Sequence, residues 1–184
     1  MAYRDTFAYK LIYVMTIPDE DHKGLLKIGE ATLASFAGES QLPPNCEPLN
    51  AAAHKRIKEY THTAMVRYEL LYTELAIRHI VLDDGSQMLK PFSDNDIQRI
   101  VKRAGFFCKT FYDTGNESEW FAVDLETVKN AIKAFKEGRS HLSPSEKPHI
   151  DETITLRTEQ RKAVENTLSA FRSSDHMLWN CKMR

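Results

Sequence analysis

Three residues in the first third of the chain have side chains that could act in catalysis: Tyr13, Lys27 and Arg56. Together they suit hydrolysis of a phosphodiester, which requires a reactive nucleophile, neutralisation of charge at phosphorus and protonation of the leaving oxygen. Taken singly, Tyr13 is an ordinary core tyrosine and Arg56 an ordinary surface arginine. Only their combination with the Lys-Ile-Gly segment at 27–29 points to a site.

Tyr13 and Lys27 lie in two short apolar runs. Residues 11–17 form a β-rich run, and residues 25–29 resume it after the polar, largely acidic stretch 19–24. Short apolar runs separated by turn residues are typical of paired strands. The two segments therefore predict a β-hairpin with an acidic loop.

Arg56 falls in a stretch that predicts a helix. Residues 38–48 are rich in Pro, Ser and Asn and predict a loop, after which Asn50 is a plausible N-cap for a helix over residues 51–60. Steps of four, four and three residues place one set of side chains on a shared buried face: Leu49, Ala53, Ile57 and Tyr60. Arg56 would lie at the edge of that face.

Four further elements complete the predicted domain. Alternation of apolar and polar residues over 66–73 predicts a third strand. Ser93 or Asp94 can cap a helix that runs to about residue 104, and residues 120–123 predict a short buried strand or anchor. Asp124 can cap a last helix, which would end near residue 135.

The segments Leu-Ile-Tyr-Val at 11–14 and Leu-Lys-Ile-Gly at 26–29 resemble the GIY-YIG nuclease superfamily, in particular its phage- and restriction-associated branch, in which YIG becomes KIG. Arg56 and the Glu-Trp-Phe triplet at 119–121 follow in that branch's order, and the resemblance covers about residues 8–138. It implies an α/β (α+β) fold with a three-stranded antiparallel sheet flanked by helices. It also implies DNA cutting with one Mg²⁺ or Mn²⁺ ion.

The resemblance implies catalytic roles for four residues. Tyr13 would orient or deprotonate the attacking water, and Arg56 would grip phosphate oxygens with its planar fork. A free tyrosine has a pKa near ~10, and lowering it to 7 requires ~4 kcal/mol, so metal-bound water or nearby cations would share the task. Lys27 replaces the second tyrosine and would polarise a phosphate oxygen. His54, close to Arg56, is a further candidate acid or phosphate contact.

The metal-binding carboxylate stays open between two residues. Asp94, followed by Ile97 and Gln98, lies where the branch usually shows Glu-x-x-Leu-His, so this chain differs at both polar positions. Glu119 of the Glu-Trp-Phe triplet is the competing ligand. Glu74 is a more distant third candidate.

The C-terminal segment begins Leu-Arg-Thr-Glu-Gln at the start of a predicted helix and ends in a predicted strand at 177–180. It resembles the opening of superfamily 2 helicase motors of the restriction type, in which the glutamine, here Gln160, contacts adenine. The chain contains no GxxxxGK[ST] phosphate loop, so ATP is expected only in a full-length parent. An ordinary amphipathic helix and strand is the alternative. The sequence therefore predicts a nuclease domain at residues 1–138, a linker at 139–155 and an incomplete motor domain at 156–184.

Composition sets broader limits. Apolar residues make up 42% and charged residues 28% of the chain, as in ordinary globular proteins. The formal net charge is −1, so DNA binding would depend on local basic groups such as that at 98–109, which is otherwise a solvated helix face. The three cysteines are far apart and suggest neither disulfides nor a zinc site. Without a secretory signal or an apolar run of membrane-spanning length, we expect a cytoplasmic protein with no membrane partner.

These observations predict a metal-dependent DNA endonuclease domain of a restriction or defence helicase-nuclease. Two alternatives stay open. A catalytically weak DNA-binding module that docks the motor on DNA is favoured by the tyrosine-to-lysine replacement and the unresolved carboxylate. A protein-interaction domain would be favoured if Tyr13 and Arg56 were buried away from each other.

Overall fold

A computed structural model gives the structure of the chain. The residues that it describes are 9–33, 42–62, 65–110, 118–147 and 157–173. The chain divides into two compact units, Met1–Pro148 and His149–Arg184. None of the helices within these described ranges combines the length and apolar character needed to cross a bilayer.

The first unit contains strands and helices. The strands are β1 (Lys10–Thr16), β2 (Leu26–Thr32), β3 (Glu69–Leu75), β4 (Ile77–Val81), β5 (Gln87–Pro91) and β6 (Trp120–Phe121). The helices are α1 (Glu47–Thr61), α2 (Asp94–Arg103) and α3 (Leu125–Lys136), followed by a 3₁₀ turn at Pro144–Glu146. The mixed α+β class that the sequence predicts is confirmed.

The main sheet is antiparallel, with strand order β3-β1-β2-β6. The predicted three-stranded sheet was therefore one strand too small. The fourth strand, β6, is only two residues long and pairs with β2 at Leu26 and Lys27. Beyond these two residues, no strand of the described part of the chain lies beside the outer edge of β2.

The sheet separates two apolar layers because alternate residues of a strand point to opposite faces. Leu11, Tyr13 and Met15 of β1 pack in the layer that contains the buried residues of α1. Ile12 and Val14 pack in the opposite layer with the buried residues of α2 and α3. Tyr13 therefore faces α1.

Helix starts follow local capping chemistry, with one exception. Ser93 begins α2, and its amide donates a hydrogen bond to the Asp96 carboxylate at 3.0 Å. Asp124 caps α3 by accepting from the Thr127 amide at 2.8 Å. The prediction that Asn50 caps α1 was wrong, because α1 begins four residues before the predicted start at 51, after Cys46. The Asn50 side chain instead links the preceding loop to β3, accepting from the Thr73 hydroxyl at 2.7 Å.

Two other predictions need correction. The third strand begins at Glu69 rather than residue 66 and continues to Leu75. Tyr60 was placed on the buried face of α1, but 38% of it is exposed. Thr61, four residues after Ile57, occupies the buried position instead. Tyr60 is thereby turned towards the rim of the sheet.

Strands β4 and β5 form a separate two-stranded hairpin, which the sequence did not reveal. It continues the chain directly after β3, and the Phe92 amide donates back to the Ala76 carbonyl at 3.1 Å to close its root. Its turn uses Gly85 in the left-handed region, at φ 79°. The tip of the hairpin is largely exposed to solvent.

The second unit contains one described helix, α4 (Thr158–Ala170). It agrees with the helix predicted in this region, and none of its residues is buried. The strand predicted at 177–180 lies outside the described residues.

Candidate active site

Tyr13 and Gly29 face each other in the register of β1 and β2. A Cβ atom at position 29 would lie 2.5 Å from both Cζ and Oη of Tyr13. Such an approach is a steric clash, so residue 29 must lack a side chain for the tyrosine ring to lie where it does. The structural reason for Gly29 is therefore room for the Tyr13 ring.

Tyr13 is almost fully enclosed, with 2% of its surface exposed. Burial raises the pKa of its phenol well above the ordinary value, and the hydrogen bond with Tyr60 raises it further. The shift is opposite to the one that a general base requires. Deprotonation of water by Tyr13 is therefore disfavoured, whereas an orienting role is compatible with its neutral hydroxyl.

Tyr60 is a site residue that the sequence analysis missed. Its hydroxyl oxygen lies 3.1 Å from that of Tyr13, and its hydroxyl donates to the sulfur of Met15 at 3.4 Å. The Nζ atom of Lys27 lies 4.5 Å from the centroid of the Tyr60 ring, a cation–π contact. The signal that could have revealed it is spacing, because residues four apart in a helix share a face and Tyr60 follows Arg56 by four.

Lys27 and Glu119 form an ion pair at 3.0 Å at the junction of β2 and β6. Lys27 is the more enclosed partner, and its ammonium lies between the Tyr60 ring and the carboxylate. One oxygen of Glu119 is therefore already engaged. This engagement weakens Glu119 as a metal ligand, because the metal would have to displace the lysine.

Arg56 lies on the flank of α1 that faces β2. Its guanidinium pairs with Glu59 at 2.7 Å, with both side chains about half exposed. The hydrogen bond that Arg56 donates to Glu59 is the main reason that the pKa of Arg56 is raised, and the Tyr13 and Tyr60 phenols also raise it electrostatically. Arg56 therefore lies within electrostatic reach of the tyrosine pair.

A surface groove of about 330 Å³ runs between the open edge of β2 and α1, and we call it the β2–α1 groove. It is lined by Glu30, Ala31, Thr32, Ala52, Lys55, Arg56 and Glu59. Its basic wall is Lys55 and Arg56, and its floor is the edge of β2. The groove is open to solvent and mixed in charge, which suits a polar and charged ligand rather than an apolar one.

The buried carboxylate at the start of α2, Asp94, has a raised pKa. Burial is the main cause, and the charges of Glu30 and, to a smaller extent, Glu119 contribute. Glu30 pairs with Lys10 through one oxygen, while its other oxygen is buried without a hydrogen-bond partner in the described structure. An orphaned carboxylate oxygen within reach of a second buried carboxylate is a place where a divalent cation would be favourable. Sequence reasoning gave no role to Glu30.

The described ranges contain no ready-made group of three His, Cys, Asp or Glu ligands. Mg²⁺ does not require one, since it commonly uses one or two carboxylates together with water and substrate phosphate. Glu30 and Glu119 are each paired with a lysine through one oxygen, but Glu30 also has an oxygen that is buried without a partner in the described structure, so Asp94 and Glu30 fit such an ion better than Glu119. Gln98, at the usual histidine position, is buried and donates to the Ile28 carbonyl at 3.0 Å, a structural role.

Three other candidate residues bond to partners outside the Tyr13–Tyr60 pair: Glu74, His54 and Gln160. Glu74 bonds to the Tyr72 hydroxyl and to Lys136, in the layer of α3. Nδ1 of His54 lies 2.8 Å from the Tyr68 hydroxyl, on the flank of α1 opposite the groove. The side-chain oxygen of Gln160, in the second unit, accepts from the Arg157 amide at 2.9 Å and so caps its own helix.

Comparison of the chain with protein-family models, with curated proteins and with solved structures found no match. A functional assignment therefore depends on the residues and their geometry alone.

Proposed function

We propose that the N-terminal unit is a metal-dependent DNA endonuclease of the GIY-YIG type, belonging to a larger restriction or defence helicase-nuclease. The proposal rests on the contacts among three residues. Tyr13 and Lys27 were predicted from the sequence, and Tyr60 was found in the structure. Tyr13 and Tyr60 are joined by their hydroxyls, and Lys27 lies over the Tyr60 ring. Arg56, on the same helix as Tyr60, lines the adjacent β2–α1 groove.

Substrate binding would begin at Arg56. Its pairing with Glu59 is exposed, and exposed pairs contribute only about 0–1 kcal/mol. A phosphodiester in the groove can replace Glu59 at low cost and accept two parallel hydrogen bonds from the guanidinium. Lys55 lines the same groove and adds positive charge.

Water orientation would fall to the tyrosine pair. Tyr60 is 38% exposed whereas Tyr13 is 2% exposed, so Tyr60 is the member of the pair that the attacking water can approach. Tyr13 is buried and neutral, and it acts through its hydrogen bond to Tyr60 as a positioning residue. This division explains how a tyrosine with a raised pKa can still matter for hydrolysis.

Asp94 and Glu30 are the residues that would hold a divalent ion. Bound there, Mg²⁺ or Mn²⁺ would supply charge neutralisation at phosphorus and a more acidic water. Lys27 stays paired with Glu119, and its charge next to the Tyr60 ring favours accumulation of negative charge nearby.

The test is plasmid nicking by the full chain with Mg²⁺ or Mn²⁺. We expect Arg56→Ala to lower the nicking rate by roughly 10²- to 10³-fold, the usual effect of losing a group that stabilises developing charge. Tyr60→Phe and Tyr13→Phe should lower it by roughly tenfold or more, because ordered water is lost. Matched controls are Lys23→Ala, an exposed lysine that pairs with an acid three residues before it, and Tyr68→Phe. Equal activity in all variants would refute the site.

A DNA-binding module without strong catalysis is the second candidate. The raised pKa of Tyr13 and the engagement of Glu119 by Lys27 favour it. In that case the wild-type chain would bind DNA without nicking it under either metal, and Arg56→Ala would weaken binding. The protein-interaction alternative requires Tyr13 and Arg56 to be buried apart, whereas Arg56 is about half exposed and affects the pKa of Tyr13.

A further inference from the structure

The root of the β4–β5 hairpin carries a cluster of basic side chains. Arg78 of β4 and Lys90 of β5 are direct partners in the register. Directly paired residues of antiparallel strands project to the same face, so two positive charges lie side by side. Arg78 also lines a pocket of about 410 Å³ together with His79 and with Lys136 from α3.

Within the described part of the chain, Arg78 and Lys90 are not neutralised by acids, whereas Lys136 is paired with Glu74. Neither Arg78 nor Lys90 forms an ion pair there, and Nε of Arg78 is buried without a hydrogen-bond partner. Two acids on adjoining elements are already paired, Glu74 with Lys136 and Glu137 with Arg139. Like charges directly opposite each other destabilise a strand pair, so an anion at this point would stabilise it.

The Arg78 guanidinium is held in place by an aromatic ring. Its Cζ atom lies 5.0 Å from the ring centroid of Phe135, a cation–π contact that restrains the guanidinium. The planar guanidinium fork is suited to phosphate oxygens, which accept two hydrogen bonds in parallel. The ligand chemistry that the cluster favours is therefore a phosphate group.

The hairpin root and the β2–α1 groove lie at the same end of the sheet. Lys10, near the start of β1, pairs with Thr32 at the end of β2, and Leu11 pairs with Leu75 at the end of β3. Strands β2 and β3 are separated only by β1, so Thr32 and Leu75 are on the order of 10 Å apart across the sheet, and the groove and the hairpin root lie beyond them on either side. A B-DNA duplex, whose major groove alone is ~12 Å wide, presents backbone phosphates over a span of this order or longer.

We propose that the hairpin root binds a second backbone phosphate of the DNA duplex whose scissile strand occupies the β2–α1 groove. This inference rests on the proposed function, and it extends the DNA contact to the opposite edge of the sheet. Arg78 grips the phosphate oxygens, and Lys90 adds a point charge. The contact reads no bases, so it strengthens binding equally for all sequences.

The experiment measures binding of a fluorescently labelled duplex by anisotropy, without divalent metal, across a range of salt concentrations. The variants are Lys90→Gln and the double variant Arg78→Gln/Lys90→Gln. The matched control is Lys23→Gln, an exposed lysine in the β1–β2 turn at the other end of the sheet. Losing one phosphate contact should reduce the slope of log K against log salt by ~0.9 and weaken binding roughly threefold to tenfold at moderate salt. Lys23→Gln should change neither quantity.

Thermal unfolding of each variant checks that it is folded. If the double variant is unfolded, the single variant Lys90→Gln, at an exposed position, provides the test of the phosphate site. If the wild-type chain binds DNA and Lys90→Gln behaves like Lys23→Gln, the second phosphate site is refuted while the nuclease proposal stands. If the slope falls as expected but no variant or condition gives nicking, the phosphate site stands and the nuclease proposal fails. Absence of any duplex binding by the wild-type chain overturns both.

Discussion

The two hairpins of the N-terminal unit hold their functional side chains in opposite ways. In β1–β2, residues from Leu11 to Met15 are at most 2% exposed, so both faces of the strand are packed. In β4–β5, Val81 is 68% exposed and Met88 is 44% exposed. The tyrosine site is therefore fixed by packing on both faces of its strand, whereas at the root of the second hairpin Arg78 is held by one aromatic ring and Lys90 is exposed to solvent.

Alanine substitution of one methionine in each hairpin should give the largest difference in unfolding free energy between the two hairpins. Met15 is fully buried in β1, and truncation to alanine should cost roughly 2–5 kcal/mol of unfolding free energy because a cavity remains. Met88→Ala in β5 should change it by less than about 0.5 kcal/mol, since the side chain is exposed. Urea unfolding monitored by circular dichroism measures both. A similar cost for the two variants would contradict the contrast between the hairpins.

Gly29→Ala should give an intermediate effect that depends on Tyr13. The added methyl group clashes with the tyrosine ring, and such overpacking costs roughly 1–3 kcal/mol. The cost should fall sharply in a Tyr13→Ala background, because the ring that causes the clash is gone. A double-mutant cycle of unfolding free energies measures this coupling. Additive effects of the two substitutions would show that Gly29 has another role.

The smallest expected effect is a loosening of the second hairpin in acid. Asp84 in its turn accepts from the amide and hydroxyl of Ser86 at 2.8 and 2.6 Å, and these hydrogen bonds lower the pKa of its carboxyl below the ordinary 3.8. A lowered folded-state pKa means that the stabilisation is present above pH 3.8 and is lost as the pH falls below that value. Amide hydrogen exchange of β4–β5 in the wild-type chain and in Asp84→Asn should differ above this pH and converge below it. A constant difference at every pH would exclude Asp84 as the cause.

The predictable part of the fold follows from strong local signals. The β1–β2 hairpin was evident from two apolar runs, and the starts of α2 and α3 were evident from their capping residues, Ser93 and Asp124. The β4–β5 hairpin was not predictable, because most of its residues are exposed and no buried face imposes an alternating pattern. The short β6 was predicted as a buried strand or anchor at 120–123, but its pairing with β2 in the main sheet was not predicted.

The sequence predicted which residue types form the candidate site, but it predicted fewer of the side-chain contacts among them. The positions of Tyr13 and Lys27 on neighbouring strands follow from the hairpin. Tyr60 was missed because a periodic apolar stripe does not show where a buried face ends, and Thr61 occupies its last position. The environment of Glu30 depends on residues distant in sequence, Lys10 and Asp94, and only the folded chain brings them together.

The shortness of β6 also bears on strand pairing between chains at this edge of the sheet. A sheet edge with unpaired amides and carbonyls is a template for intermolecular strand pairing. Within the described residues, β2 presents such an edge after Ile28, and the charged side chain of Glu30 interrupts it while Lys55 and Arg56 flank it. Charges on an exposed edge disfavour pairing with another chain. The charged groups that line the proposed ligand groove therefore also disfavour intermolecular strand pairing at this edge.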